Sequence, residues 1–559
     1  MMAVFWYRAS VRIWHRGVRL AAVIFWLWPL LLLPAPVYGQ MHEAALNFVE
    51  RATVRISAGT SQSSGVLISP AGHVLTADHG VPMNVPAVKV ELADGRQFSA
   101  EVLARDTEAD AALLKISERQ PASGQPEGAV SFSDSWLPLA GEAAAVEVGS
   151  FMVAAGFPAR ESAGSTVVFR LGSVLAADRV LVRTGCLLTA GDSGGPLVNR
   201  LGEVAGLHRQ IGVGREMNVH VSADRLWRLI ESAGVNLPQD VGSRQPLWPA
   251  EMSGVLAEEI QREAALSTVE ILAAANATEV LMLGARTTQK SIVAKLSLLR
   301  PGESIFGRFA NGVTRAMRII SQDVAADLVV LEPVVVDGLP PLGRLSAGEP
   351  RRGDVVFAVH GFASDGRSCR ISGPGMISRV RHNEPRAVAR LGLVLEAMPD
   401  GSGLRVRESA ANGPATVAGL RMGDHLISLQ GRQIEGLADV AAVLEPVQPG
   451  DWLELAMERG GERLRSVLQA GHDVATSFDR REFLDGRAGA VSVRRTGLSG
   501  VIQHDVAVDP ARCGGLLLSH DGRILGWNVA RRSREATLSW PWLKAGEETS
   551  VLKRQKESN

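Results

Sequence analysis

Cysteine is scarce in this chain, which limits the covalent and metal chemistry available to it. The 559 residues include three cysteines, Cys186, Cys369 and Cys513. Three is too small a number, and an odd one, for a scaffold built on disulfides, and no two of them have the spacing of zinc ligands. We therefore expect no metal site. The sequence leaves open whether two cysteines pair in an oxidising compartment and leave one free thiol.

Aromatic residues and net charge are also low. Both tyrosines, Tyr7 and Tyr38, precede residue 40, so the rest of the chain has no phenol chemistry. Lysine and arginine together number 59, as do aspartate and glutamate, and no long basic run is present. This balance argues against nucleic acid or an anionic membrane surface as the main partner. The 58 glycines favour turn-rich β structure, and the length favours several domains.

The N-terminal residues 1–39 have the pattern of a secretory signal. Four arginines fall between residues 8 and 19, and residues 20–33 form an apolar run broken by Pro29. Residues 37–39 form a cleavage site of small-residue type. An uncleaved membrane anchor is the alternative, but the run is short for a span that contains a proline. Either interpretation predicts export to the periplasm or cell envelope, and secretion from the cell is left open.

A serine set among glycines is the most informative stretch of the chain. The run Gly191-Asp192-Ser193-Gly194-Gly195 concentrates residues that lose much backbone freedom on folding and contribute no packing. Such a turn suits a backbone that must bend tightly and present its N–H groups to a ligand. In acyl transfer those groups form an oxyanion hole and the serine is the nucleophile. A nucleophilic serine needs a base and an orienting acid.

His79 and Asp110 are the candidates for base and acid. Residues 42–245 contain many short alternating or apolar runs between Gly, Ser and Pro, which predict antiparallel strands in barrels or a sandwich. His79 ends one such run, and Asp110 directly precedes the apolar run 111–116. Histidine, aspartate and serine thus occur in that order, each at a strand end or a tight turn.

Three neighbouring residues compete for these roles. His73 opens its strand instead of ending it, so we interpret it as a surface histidine. Asp106 does not abut the apolar strand. Asp192 is interpreted as a turn residue, because its position inside the glycine-rich run serves the turn.

The segments 64–79, 110–115 and 191–197 together make the chain resemble a trypsin-fold serine protease of the HtrA (Deg) type. The resemblance covers the whole of residues 42–245. It implies a mainly β fold with two six-stranded barrels and an active site in the cleft between them.

The resemblance also implies roles for individual residues. Ser193 would be the nucleophile, His79 the general base and then acid, and Asp110 the group that fixes the imidazole tautomer. The backbone N–H groups of Gly191 and Ser193 would form the oxyanion hole, worth about 3 kcal/mol per donor. Gly80 departs from the pattern, because an apolar residue usually follows the histidine.

Substrate preference is predicted from three positions of the specificity pocket. Leu188, five residues before Ser193, should line the pocket base, and Leu207 and His208 lie on the strand that would pair with substrate. No acidic residue stands at the pocket base. We therefore expect cleavage after small or medium apolar residues, such as an unfolded chain exposes.

The residues after the first domain repeat it in degraded form. We assign residues 253–387 and 475–545 to two parts of one degenerate protease-like copy, the second part completing the first. The matching segments are 321–331 with 104–114, and 513–518 with 193–198.

This second copy lacks the residues for catalysis. Counting back from Asp327 without gaps puts Leu296 at the histidine position, and Cys513 stands where the serine was. A cysteine also needs a base to form its thiolate, and no histidine is at the matching place. We expect a structural copy that holds or regulates the first domain.

Residues 388–470, between the two parts of the second copy, resemble a PDZ domain. The segment 418–424, Ala-Gly-Leu-Arg-Met-Gly-Asp, is the most specific part of the resemblance. It implies that the backbone around Leu391, Gly392 and Leu393 receives a chain-terminal carboxylate, with the peptide added as a strand. A PDZ fold used only as an internal spacer is the alternative.

Together these patterns predict an exported, ATP-independent serine endopeptidase that cleaves unfolded or damaged proteins through an acyl-enzyme. No metal or organic cofactor is implied. The expected partners are unfolded polypeptides and C-terminal peptides, with a homo-oligomer left open. The alternative is a chaperone-like holdase or scaffold that binds exposed strands and C-termini without cutting them.

Overall fold

The computed structural model describes residues 41–542 apart from residues 60, 84, 86, 118–130, 142–145, 160–165, 213–216, 239–244, 250, 251, 253, 400 and 473–488. The signal predicted at residues 1–39 lies outside this part of the chain. The described fold is mainly β and contains four closed six-stranded barrels and one six-stranded sheet. None of its helices is long and apolar enough to cross a membrane.

Barrels 1 and 2 form the first protease-like copy. Their strands are short and pair antiparallel, because turns rich in Gly, Ser and Asp interrupt each apolar run. Barrel 1 closes in the order β1-β2-β3-β6-β5-β4 and barrel 2 in the order β10-β11-β12-β9-β8-β7. The strands are β1 (Thr53–Ala58), β2 (Ser61–Leu67), β3 (His73–Thr76), β4 (Ala87–Glu91), β5 (Gln97–Asp106), β6 (Ala111–Ile116), β7 (Phe151–Gly156), β8 (Val168–Ala177), β9 (Leu181–Thr184), β10 (Pro196–Val198), β11 (Val204–Gln210) and β12 (Asn218–Ser222).

Two helices flank these barrels. Helix α1 (Glu43–Ala52) buries Leu46 and Val49 completely on one face. Helix α2 (Ala223–Ser232) begins where the Ser222 hydroxyl accepts a hydrogen bond from the Arg225 backbone N–H, which satisfies a donor of the first turn. A 3-10 helix, Asp78–Gly80, follows β3.

Barrels 3 and 4 form the second copy with the same strand order. Barrel 3 closes as β13-β14-β15-β18-β17-β16, and barrel 4 as β19-β20-β27-β30-β29-β28. Barrel 4 takes its strands from both sides of an inserted domain. The elements are α3 (Glu258–Leu266), β13 (Thr268–Leu272), β14 (Met282–Arg286), β15 (Ile292–Lys295), a 3-10 helix (Leu296–Leu298), β16 (Phe306–Arg308), β17 (Thr314–Asp323), β18 (Leu328–Pro333), β19 (Val355–Phe362), β20 (Cys369–Asn383), β27 (Ser499–His504), a 3-10 helix (Pro510–Arg512), β28 (Leu516–Ser519), β29 (Ile524–Arg531) and β30 (Thr537–Pro541).

The inserted domain is one antiparallel sheet in the order β21-β22-β23-β25-β26, with β24 paired to β23. It has a hydrophobic core of its own, centred on buried side chains such as Leu404, Leu426 and Leu453. Its elements are β21 (Leu393–Ala397), β22 (Leu404–Ser409), α4 (Pro414–Val417), β23 (His425–Leu429), β24 (Arg432–Gln433), α5 (Leu437–Leu444), β25 (Trp452–Arg459) and β26 (Glu462–Gln469).

The two protease-like copies share one continuous core. The largest hydrophobic cluster contains Phe157 and Phe169 of the first copy together with Phe357 and Trp527 of the second. Strand β8 of barrel 2 packs against strand β20 of barrel 4. The second copy is therefore packed against the first over buried apolar surface, which stabilises their arrangement.

Candidate active site

His79 and Asp110 lie side by side because of how strands β3 and β6 pair. The strands run antiparallel with Thr76 opposite Ala112, so the end of β3 is beside the beginning of β6. The His79 ring Nδ1 is 2.8 Å from Asp110 Oδ2 and 3.0 Å from Oδ1. The backbone N–H of His79 also donates to Asp110 Oδ1, at 2.9 Å. These contacts hold the imidazole against the carboxylate, with the histidine side chain 53% exposed and the aspartate 18%.

Asp110 has a left-handed backbone, with φ 63°. A side chain other than glycine rarely adopts this conformation, and where it occurs it often serves a site. Here this conformation ends the turn before β6 and directs the Asp110 carboxylate toward the backbone N–H and the ring Nδ1 of His79.

The turn around Ser193 is fixed mainly by backbone hydrogen bonds. The Ser193 carbonyl accepts from the N–H of Ser64 in barrel 1, at 2.8 Å, and the Gly194 N–H donates to the His208 carbonyl, at 2.8 Å. Gly194 has φ +83°, and a Cβ there would lie 2.3 Å from the Ser64 carbonyl oxygen. Glycine is therefore required at residue 194 by both backbone conformation and space.

The predicted oxyanion donors are presented by the same turn. The Ala159 N–H donates to the Ala190 carbonyl, at 2.7 Å, and the Ser64 hydroxyl donates to the Gly191 carbonyl, at 2.8 Å. These bonds orient the two peptide groups that flank Gly191. Neither the Gly191 nor the Ser193 N–H donates to an acceptor among the described residues. Two unsatisfied donors on one turn are what a developing oxyanion needs.

The competing residues have other partners. His73 Nδ1 lies 2.7 Å from the Ser69 hydroxyl, and burial, followed by the charge of Lys115, lowers the pKa of His73. Asp106 pairs with Arg225, with 2.6 Å between Nε and Oδ2, and the hydrogen bond from Arg225 is the main reason that the pKa of Asp106 is lowered. Both residues therefore stabilise local structure through these partners.

The exception at Gly80 has a steric explanation. A Cβ at this position would lie 2.6 Å from the Ser63 Oγ and 3.0 Å from the Ser63 Cβ. An apolar side chain after His79 would therefore collide with strand β2.

The three residues predicted for the specificity pocket are all buried. Leu188 is 2% exposed and belongs to the cluster inside barrel 2, while Leu207 and His208 are fully buried. His208 Nδ1 lies 3.0 Å from His220 Nδ1, and His220 Nε2 lies 2.8 Å from the Thr184 hydroxyl. Burial lowers the pKa of both histidines, that of His220 to about 3. Their role in specificity stays a prediction. Their buried positions show that they stabilise the strand that packs behind Ser193.

Sequence reasoning missed one charged residue at this site, Arg170. Its Nη1 lies 2.8 Å from Asp192 Oδ2, and both side chains are fully buried. Asp192 Oδ2 also accepts from the Thr189 N–H, at 2.8 Å. The signal was available, because Arg170 is an isolated charge in the apolar run 167–174, and a buried charge needs a partner.

The second copy has the same backbone framework with different side chains. The Cys513 carbonyl accepts from the Leu283 N–H, at 2.9 Å, and the Gly514 N–H donates to the Asn528 carbonyl, at 2.6 Å. Cys513 therefore occupies the position of Ser193. It is fully buried, and burial raises the pKa of its thiol. A buried thiol of this kind is inert.

The residue at the histidine position of the second copy is Ser297, not Leu296. The Ser297 N–H donates to Asp327 Oδ1, at 2.7 Å, as the His79 N–H does to Asp110. Ungapped counting was wrong by one residue because 30 positions separate the second pair and 31 the first. Asp327 also binds the Ser297 hydroxyl, at 3.0 Å, and the buried Lys295 ammonium.

The inserted domain has an open groove between β21 and α5. The groove has a volume of about 480 Å³, and its lining includes Leu391, Gly392, Leu393 and Leu437. The N–H groups of Leu391 and Gly392 donate to no described acceptor. An apolar groove beside a free strand edge, with unsatisfied donors at its end, suits a peptide with a terminal carboxylate.

No group of three or more His, Cys, Asp or Glu side chains in the described part of the chain could hold a metal ion.

Two family models match the chain. Residues 63–207 match the trypsin-like peptidase domain, and residues 378–468 match the PDZ domain. The first match contains His79, Asp110 and Ser193, and the second contains the groove between β21 and α5.

The chain is also similar to curated serine endoproteases. The chain is 24% identical over 420 residues to the periplasmic serine endoprotease DegP of Salmonella typhimurium, covering 73% of this chain and 76% of that protein. It is 34% identical over 154 residues to DegP of Escherichia coli K12, covering 26% of this chain and 30% of that protein. The crystal structure of the serine endoprotease from Yersinia pestis is 14% identical and aligns with 79% of this chain and 100% of that one, at a TM-score of 0.29.

The fold and these domains define a trypsin-fold serine endopeptidase. The two domain matches and the DegP relatives support a protease of the HtrA/Deg type with a PDZ domain.

Proposed function

We propose that this protein is an exported, ATP-independent endopeptidase that cleaves unfolded or damaged proteins of the cell envelope. The proposed residues are Ser193 as nucleophile, His79 as base and Asp110 as orienting acid. The observation that carries the proposal is the hydrogen bond of 2.8 Å between His79 Nδ1 and Asp110 Oδ2, on the fold that also presents the Ser193 turn.

This hydrogen bond sets the direction of proton transfer. With its Nδ1–H donated to the Asp110 carboxylate, the neutral His79 ring has an unprotonated Nε2 that can accept a proton. His79 would remove the Ser193 hydroxyl proton as the oxygen attacks the peptide carbonyl. The Gly191 and Ser193 N–H groups would receive the oxyanion of the tetrahedral intermediate.

The intermediate would then collapse to an acyl-enzyme. His79 would give its proton to the leaving amine, which leaves an ester on Ser193. His79 would next activate a water molecule that hydrolyses this ester and restores the free serine. No step needs a metal or an organic cofactor.

The PDZ groove would bind the C-terminal or exposed end of the same substrates. The 480 Å³ groove is lined largely by apolar side chains, and such side chains recognise the apolar residues that unfolding exposes. Export is supported by the periplasmic relatives and by the signal pattern of residues 1–39.

The direct test is digestion of an unfolded casein-type protein, without ATP, by the chain lacking residues 1–39. We expect the parent to cleave it after small or medium apolar residues, and Ser193→Ala to be inactive. Cys513→Ala, which changes the matching residue of the degenerate copy, should cleave like the parent.

Three outcomes would contradict parts of this proposal. Cleavage by Ser193→Ala would remove Ser193 as the nucleophile. Cleavage after Lys or Arg would overturn the predicted pocket. A parent protein that binds the substrate without cutting it would support a holdase instead.

A further inference from the structure

The nucleophile turn has few side chains with which to hold its conformation. Gly191, Gly194 and Gly195 have no side chains, so the turn depends on its hydrogen bonds and on the side chain of Asp192. The Asp192 side chain is completely buried and contacts the Arg170 guanidinium and the Thr189 N–H. A buried ion pair is costly to form unless its geometry is well satisfied. Such a pair next to Ser193 points to a role in placing the turn.

Arg170 is in turn next to the degenerate copy. The following residue, Leu171, donates its N–H to Asp505 Oδ2, at 2.6 Å, and Asp505 comes directly after β27. Asp505 Oδ1 accepts from the Met376 N–H of β20, at 2.6 Å. One buried carboxylate therefore joins strand β8 of the first copy to strand β20 of the second.

The charge of Arg170 acts on both carboxylates. Burial raises the pKa of Asp505 to about 7 and that of Asp192 to about 6, and Arg170 opposes the rise at each. Glu535 of the degenerate copy, 3% exposed, is also close enough to affect the pKa of Asp192. Charged groups of both copies thus act on the same buried carboxylates.

A hairpin of the degenerate copy completes this contact. Ser533, Arg534 and Glu535, between β29 and β30, are at most 3% exposed although they form a turn. Arg534 Nη2 donates to Asn218 Oδ1 of β12, at 3.3 Å. A turn at a barrel end is normally exposed, so its burial against the first copy shows that the two copies meet closely here.

We propose that the degenerate copy positions the nucleophile turn of the active copy through a series of buried contacts. The series runs from Asp505 by way of strand β8 and Arg170 to Asp192. Arg170 and Asp505 are positioning residues in this account, since neither contacts the reacting atoms. The proposal rests on the proposed function, in which Ser193 is the nucleophile. It gives the second copy a task that needs no catalytic residues of its own.

The first test is to remove the Arg170 guanidinium and so interrupt this series of buried contacts. We expect Arg170→Met to lower kcat by about tenfold or more with KM within about twofold, because the turn and its oxyanion donors are affected more than substrate binding. Arg170→Lys, which keeps the charge, should recover part of the loss. The matched control is Arg308→Met, which breaks an Arg–carboxylate pair with Glu270 in barrel 3 and should leave kcat unchanged.

Two further variants keep the test sound if Arg170→Met does not fold. The double variant Arg170→Met/Asp192→Asn removes both buried charges together and leaves an acceptor for the Thr189 N–H; it should fold and remain slow. Asp505→Asn changes only the degenerate copy and should also lower kcat. Parent-like kcat in both variants would overturn the proposal.

Hydrogen exchange gives a readout that does not depend on activity. Amide exchange of residues 189–195 should be faster in Asp505→Asn and in the double variant than in the parent and in Arg308→Met. Unchanged exchange would contradict positioning. If the parent itself hydrolyses nothing, the proposed function fails, while the exchange comparison still decides whether the second copy holds the turn.

Discussion

Asp110 and Asp327 have the same unusual backbone and the same hydrogen bond. Their φ angles are 63° and 54°, and each accepts the N–H of the second residue of a preceding 3-10 helix, His79 in one copy and Ser297 in the other. The duplicated fold thus keeps the carboxylate in place where the histidine is absent. In the second copy the carboxylate binds Lys295 instead, so its charge is neutralised by a structural partner.

Replacing Asp110 with asparagine should remove most of the activity. The amide cannot hold His79 in the tautomer with Nε2 unprotonated, and a loss of about 10⁴-fold in kcat is expected from comparable triads. The control is Asp106→Asn, because Asp106 is bound to Arg225 and should change kcat little. Steady-state hydrolysis of a peptide substrate measures both. A larger loss for Asp106→Asn than for Asp110→Asn would reverse the assignment.

The three thiols should be unreactive in the folded protein. Cys186, Cys369 and Cys513 are free and buried, and burial raises the pKa of Cys186 and Cys369 to about 12. A thiol reagent such as dithionitrobenzoate at neutral pH should therefore modify none of them in the native state and all three in urea. Rapid modification of Cys513 in the native protein would contradict an inert second site.

Acidification should destabilise the protein through its buried histidines. Burial lowers the pKa of His504 to about 3, and the hydrogen bond that His504 Nε2 donates to Asn528 Oδ1 opposes the shift. Below pH 6.5 the unfolded state binds a proton that the folded state does not, so this stability is present above pH 6.5 and is lost as the pH falls toward 3.

The measurement is urea denaturation of the parent and of His504→Gln at pH 7 and pH 5. Subtracting the two proteins cancels the groups that they share. The free energy of unfolding of the parent relative to the variant should fall by about 2 kcal/mol between these pH values. A difference independent of pH would mean that His504 titrates normally in the folded state.

The PDZ groove should bind peptides that end in an apolar residue with a free carboxylate. Leu437 lines the groove and is 60% exposed, so Leu437→Glu should weaken binding by about tenfold, or 1.4 kcal/mol, through lost apolar contact and charge repulsion. Val417→Glu is the matched control, since Val417 is 80% exposed on α4 outside the groove lining. Fluorescence anisotropy with free and amidated peptides measures the effect. Equal affinity for the two peptides would favour the spacer interpretation.

The sequence was sufficient to predict the site residues whose positions depend on local structure, such as a strand end or a tight turn. His79 ends a strand and Asp110 begins another, and the antiparallel pairing of those strands makes them neighbours. The glycines around Ser193 could also be interpreted as a tight turn, because the backbone conformation of a turn depends on its own residues.

Contacts between distant elements could not be predicted. Arg170 precedes Asp192 by 22 residues, and Leu171 meets Asp505 across 334, so no local pattern links them. The substitute for the histidine was misplaced by one residue because the segment between Ser297 and the start of β17 is one residue shorter than the segment between His79 and the start of β5. In both cases the missing information was three-dimensional: which distant strands and turns come together, and where a segment changes length.

The most direct test of the central claim is labelling with a fluorophosphonate, with the modified residue located by mass spectrometry. The reagent reacts with a serine only where a base and an oxyanion hole are assembled around it. We predict labelling at Ser193 in the parent, and none in Ser193→Ala or His79→Ala. Absence of labelling in the parent, with and without an unfolded substrate present, or labelling at another residue, would contradict the account.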